Sequence, residues 1–288
     1  MKSIFKVNLI VFSIFVVDID ASAYPYKFGY EVGCESLAGS KKHSAHQDRY
    51  DVRYNRETEC FGVGVYDGHG GTAVADFLKA NLLANVMSAL EKEAGRSEER
   101  IEAGFGQVNN LLRAAPEVDR INCGSCAAVV CAYNGILCAA HVGSSRVVLS
   151  TTDGQIVQMT EEHLPDPNRC SAEYARVIAA GAEVTEEKPG VYRVNRKLKV
   201  TRAFGDAAVA GPGVIISKPE VHRYGLCGVQ FFIVASKTLW HKMDNREAVS
   251  IVNRVDNPVS AARQLVETAR GRHSKDDVTA IVVRVKSE

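Results

Sequence analysis

The chain has 288 residues, 46% of them hydrophobic and 24% charged, which is ordinary globular composition with room for one large domain or two small ones. Its net charge of +1 leaves no long-range field to gather nucleic acid or an acidic membrane surface. There is no basic run, no heptad pattern and no repeat of solenoid period.

The first residues differ from the rest. Lys2 and Lys6 precede an apolar run from Val7 to Val17, and Ala21-Ser22-Ala23 follows. A basic start, a short apolar core and a small-residue cleavage site make the layout of a secretory signal. We therefore expect residues 1–23 to be a signal peptide, 24–288 to be the mature domain, and the protein to enter the secretory pathway. If the segment instead packs on the domain as a strand or helix, a cytoplasmic location is the alternative. The run is too short for a mature anchor, so no membrane span is expected in the processed chain. All eight cysteines lie beyond the cleavage site, an even count that suits either disulfides or buried free thiols. Cys123-Gly124-Ser125-Cys126 has the spacing of half a zinc site, but no second pair matches it.

Tyr26 to Val32 and Asp48 to Tyr54 alternate as strands do, with a small, polar and basic loop over 37–43 between them. Cys60 to Tyr66 reads as a third, buried strand. Apolar residues at helical spacing (Val74, Phe77, Leu78, Leu82, Val86, Leu90) predict a helix from Thr72 to about Ala94. Ser97 has the chemistry of a cap for a second helix that ends before Pro116. Strands follow over 126–133, 136–142 and 146–150, the first two joined by Asn134-Gly135, a strong hairpin signal. A short helix over 171–180 stops at Gly181, and Val229 to Ser236 is a very apolar strand. Two more helices are expected over 244–255 and 258–270, the second with Pro258 at its start, before a closing strand over 278–285. Hairpins and sequential helix pairs predict an α+β fold, with antiparallel sheets covered by helices.

Five segments carry chemistry: His46-Gln47-Asp48-Arg49, Asp67-Gly68-His69-Gly70-Gly71, Gly143-Ser144-Ser145-Arg146, Thr201-Arg202-Ala203-Phe204-Gly205-Asp206 and Lys275-Asp276-Asp277-Val278-Thr279. An aspartate beside glycines puts a carboxylate and bare backbone at one point, which suits a hard metal ion or simply a tight turn. In this order and spacing the five resemble the metal-dependent Ser/Thr protein phosphatases of type 2C (the PPM family), over nearly the whole mature chain. The resemblance implies a four-layer α-β-β-α sandwich of two mainly antiparallel sheets flanked by helix pairs. It also implies a metal cleft at one end, with a flap over about 158–213.

An active member holds two Mn²⁺ or Mg²⁺ ions in a carboxylate cage, and a water between them attacks the phosphoester. On that pattern Asp67 matches the bridging ligand, Gly68 a carbonyl ligand, His69 the proton donor to the leaving group, Asp276 a further ligand and Asp48 a carboxylate behind the metals. Asp206 matches a flap residue. Several positions depart from it. Gln47 replaces a glutamate, and His43 stands where an arginine grips phosphate. Ser144 replaces the aspartate of a third, weaker metal site, and Asp277 stands for an asparagine. After the apolar strand the family's Ala-x-Asp-Gly-x-Trp-Asp becomes Ala235-Ser236-Lys237-Thr238-Leu239-Trp240-His241, so Lys237 takes a metal-binding aspartate's place and Thr238 that of the glycine.

Together these changes make the cage roughly three units more positive than the pattern. An ammonium within about 4 Å of Asp67 and Asp276 would gain Coulomb energy by replacing an ion. The resemblance therefore implies a degraded centre, with one metal or none and Lys237 as a built-in cation. The expected role is a regulatory or binding module for a phosphoprotein or regulatory partner. A divergent Mn²⁺/Mg²⁺ phosphatase acting on phosphoserine and phosphothreonine is the alternative.

Overall fold

The computed structural model describes residues 16–17, 28–40, 45–92, 95–115, 123–206, 211 and 213–287. The expected signal segment lies outside these residues except for Val16–Val17, a short strand (β1) beside Tyr30 and Glu31. His43 also lies outside them.

Two antiparallel sheets stack face to face. The first runs β1, β2 (Phe28–Leu37), β14 (Val278–Ser287), β13 (Val229–Ala235), β7 (Arg146–Thr151), β8 (Ile156–Gln158). The second runs β12 (Glu220–Gly225), β6 (Ile136–Val142), β5 (Gly124–Tyr133), β4 (Cys60–His69), β3 (Arg49–Asn55), with β11 (Phe204–Gly205) added against β5. Between the sheets lies a core that includes Phe61, Val63, Val65, Phe232, Val234 and Ile281. Period-2 alternation makes this possible, since alternate residues of β4 point to the facing sheet while their neighbours face the helices.

Helices α1 (Ala73–Leu90) and α2 (Ser97–Ala114) cover the second sheet through a core of Leu78, Leu82, Val86, Ile101 and Phe105. By length and composition α1 could cross a bilayer, but Leu78, Leu82, Leu83 and Val86 are fully buried inside the fold. Helices α5 (Asn245–Asn253) and α6 (Pro258–Gly271) cover the first sheet over Phe231, Ile233, Leu265 and Val282. Gly33 decides how close α6 comes, because a Cβ there would lie 2.0 Å from the Pro258 carbonyl carbon. The result is the expected α-β-β-α sandwich. Helix α3 (Ser171–Ala179) and the hairpin β9 (Val184–Lys188) with β10 (Val191–Val194) lie in the 158–213 segment, where the flap is expected. It has its own small core of Val177, Ala182, Val194, Leu198 and Val214.

The differences from expectation have local causes. Strand β4 runs on to His69, so Asp67, Gly68 and His69 are ladder residues opposite Cys126, Ser125 and Gly124, and the turn begins only at Gly70. Ser97 is the first helical residue of α2; Arg96 takes the cap, and its N–H donates to the Glu99 carboxylate at 3.4 Å. Strand β12 was not anticipated because Glu220 to Gly225 is polar, an edge strand facing water on one side. Residues 237–240 form one helical turn, α4, buried through Leu239 and Trp240. All eight cysteines are free thiols.

Candidate functional site

The candidate centre lies where the ends of β4, β13 and the loop before β14 meet. Asp67 projects from β4, and its Oδ2 accepts the backbone N–H of Lys237 at 3.0 Å. Lys237, half-buried, opens α4, and its ammonium acts on Asp67 through space; among the described residues it closes no ion pair there. The expected side-chain pairing is thus replaced by a main-chain bond. Burial raises the Asp67 carboxyl above the ordinary range, the Lys237 N–H and ammonium oppose that, and Asp277 adds to it.

Asp48 is 3% exposed, and its Oδ2 accepts from Thr279 Oγ1 at 2.7 Å. Burial and the neighbouring Asp67 hold its carboxyl well above the usual carboxylate range, against hydrogen bonds from Thr279 and Ser236. Asp277 is a clamp: its oxygens accept from Gly39 N at 2.5 Å and Gln47 N at 2.7 Å, tying both ends of the loop between β2 and β3 to β14. Gln47, oriented to satisfy both amide atoms, donates to the Gly68 carbonyl at 3.3 Å and accepts from Gly71 N at 3.1 Å. Asp276 is exposed in the loop before β14. Its charge reaches Lys199 of the flap. Ser144 is buried, its Oγ 3.8 Å from Cys126 Sγ, and Thr238 is half-buried as the second residue of α4.

His69 Nε2 lies 2.7 Å from Asp206 Oδ2. Burial alone would lower the imidazole pKa, but Asp206 and Asp67 outweigh it and raise it. Asp206 is 3% exposed with φ 61°, an uncommon left-handed conformation. Its N–H donates to the Cys123 carbonyl at 3.2 Å. Gly124 makes the space for this pair, since a Cβ there would sit 2.2 Å from Asp206 Oδ2 and 2.6 Å from His69 Nε2. Sequence reading put Asp206 in the flap and did not join it to His69. It quoted Gly124, Thr279 and Ser236 only as parts of longer motifs and gave them no role in the site. Phe204-Gly205 pairing with β5 is what carries Asp206 to the cleft.

The structure thus gathers Asp48, Asp67, Gln47, Lys237 and Asp277 into one coupled group, with His69 and Asp206 beside it and Asp276 at its outer edge. A separate cluster, His141, His163 and Glu220, brings three potential ligand atoms within 4.8 Å of one another. Its geometry does not suit a shared ion. The two rings stack at 4.4 Å and 11°, so their in-plane lone pairs run side by side instead of converging. His163 Nδ1 also accepts the Gly143 N–H at 3.0 Å, which leaves the proton on Nε2.

Residues 30–278 match the family described as Protein phosphatase 2C. The chain is 36% identical over 232 residues to "Probable protein phosphatase 2C 74" of Oryza sativa subsp. japonica, covering 77% of this chain and 57% of that one. It is 34% identical over 261 residues to "Probable protein phosphatase 2C 11" of Arabidopsis thaliana, covering 90% of this chain and 67% of the other. Among solved structures, a serine-threonine phosphatase 2C from Toxoplasma gondii superposes with a TM-score of 0.77 at 19% identity, covering 95% of this chain and 99% of that one. At that identity the likeness speaks for the fold. On the family match, the identities and the two-sheet architecture together, the chain belongs to the protein phosphatase 2C family.

Proposed function

We propose that this protein is a type 2C phosphatase fold whose metal centre is closed by its own groups, and that it works as a regulatory or binding module for a phosphoprotein or regulatory partner. The family is generally Mn²⁺- or Mg²⁺-dependent. One observation carries the reading: two of the oxygens that the family pattern turns toward metal, Asp67 Oδ2 and the Gly68 carbonyl, each accept a hydrogen bond from the protein itself. The Lys237 N–H holds Asp67 Oδ2, and the Gln47 amide holds the Gly68 carbonyl. The Lys237 ammonium adds a positive charge that acts on Asp67 and His69. A pair of divalent ions does not fit this donor set, because Asp67 and Asp276 would face four positive charges plus that ammonium. Both Asp277 oxygens already accept backbone N–H groups, which fixes that carboxylate on the loop.

The second reading is a divergent Mn²⁺/Mg²⁺ Ser/Thr phosphatase. What favours it is the retained His69, held by Asp206 at 2.7 Å beside Asp67. Calorimetric titration of Mn²⁺ beside a p-nitrophenyl phosphate assay separates the two. No ion, or one weak ion without turnover, is expected; two ions with metal-dependent turnover would establish the enzyme.

A further inference from the structure

At the far end of β7 from the Gly143–Arg146 turn lies a recess of about 480 Å³ between the β7–β8 turn and α5. A strand of this length spans roughly 17 Å, so the recess is separate from the candidate centre. Its lining includes the hydroxyls of Ser150, Thr151, Thr152 and Ser250, the guanidiniums of Arg246 and Arg254, and no carboxylate.

Arg246, Ser250 and Arg254 recur every four residues, so they form one stripe along α5 and its cap. Other arginines of this half of the molecule are engaged. Arg272 pairs with Glu247, Arg263 with Glu35, and Arg284 donates to backbone carbonyls. Among the described residues, Arg246 and Arg254 have no ion-pair partner. Asp153, the acid next to the groove, is turned into its own loop, where Thr151 Oγ1 and Gln155 donate to it.

We propose that this groove docks an acidic, extended segment of a partner protein. The backbones of Arg246 and Arg254, eight helical positions apart, stand about 12 Å from each other along the axis. An elongated acidic ligand matches that spacing better than a single phosphate. An extended peptide with acidic side chains on one face, repeating about every 6.8 Å, reaches both. No aromatic ring lines the groove, which disfavours single-stranded nucleic acid, whose bases stack on aromatics. The exposed Thr152 and half-buried Ser250 hydroxyls supply hydrogen bonds to the peptide backbone. A partner held here leaves the cleft open. Asn245 at the start of the same helix accepts from Arg146 at 3.0 Å, so the docking helix also braces the turn behind the cleft. The inference is independent of whether the cleft turns over substrate.

The test is fluorescence anisotropy with the full chain and a fluorescein-labelled peptide of alternating glutamate and glycine, at low salt. Arg246→Gln and Arg254→Gln should each weaken binding by about 5- to 10-fold, and the double variant by more than either. Arg113→Gln, at an exposed arginine on α2, should leave binding unchanged, as should the fold of every variant by circular dichroism. The proposal is overturned if the peptide does not bind, or if Arg113→Gln weakens it equally. It also falls if inorganic phosphate or a single-stranded oligonucleotide displaces the peptide at concentrations below the unlabelled peptide's own.

Discussion

Asp67 Oδ2 accepts the backbone N–H of Lys237 at 3.0 Å, so one oxygen of this carboxylate faces the main chain of a residue 170 positions away. A backbone donor cannot be removed by changing the side chain. Lys237→Asp therefore restores a carboxylate without freeing Asp67.

We expect Lys237→Asp alone to raise Mn²⁺ affinity by at least about tenfold, since it changes the local charge by two units. Turnover of p-nitrophenyl phosphate should stay near background. Adding Gln47→Glu should tighten the metal further, because it also frees the Gly68 carbonyl. Isothermal titration of the single and double variants reads both effects. Full turnover in the single variant would show that Lys237 was the sole block.

Gly124→Ala should destabilise the fold by about 1–3 kcal/mol, because the new methyl has nowhere to go between Asp206 and His69. Asp206→Ala should relieve that clash, so the double variant should cost less than the sum of the singles. Urea unfolding midpoints across this cycle measure the coupling.

The acid limb of stability should have two parts. Burial first, and then His163, push His141 down to about 3 from an ordinary 6.5. The unfolded chain therefore binds the proton more readily, and this contribution is present above pH 6.5 and lost as pH falls towards 3. Glu173 is the second part. Burial would raise its pKa, but hydrogen bonds from Arg202, Thr201 and Arg176 hold it at about 2. Its contribution is present above about pH 4.5 and lost towards pH 2. Glu173→Gln should remove this lower limb and cost on the order of 2–3 kcal/mol at pH 7. Urea midpoints between pH 2 and 8 test it; a profile superimposable on the parent's would refute the role given to Glu173.

Asp277→Ala should unpin the loop between β2 and β3, because both carboxylate oxygens are spent on it. Hydrogen exchange should quicken at the Gly39 and Gln47 amides by at least about tenfold, with β14 itself still protected. Unchanged exchange at those two amides would show that the loop is held by something else.

The two sheets, the helix pairs and the hairpin at Asn134-Gly135 could be read from the sequence, because period and turn chemistry act over a few residues. The expectation that Lys237 stands in a metal aspartate's place likewise comes from the sequence, through the register that Ala235 and Trp240 set. What Lys237 does there is a matter of tertiary structure. Its backbone N–H, at the start of the turn after β13, meets a carboxylate 170 positions away. The His69–Asp206 pair is likewise 137 positions apart, and it depends on Gly124 from a third strand having no side chain. Local pattern determines which residues face inward; only the register between distant strands decides which inward-facing charge meets which donor.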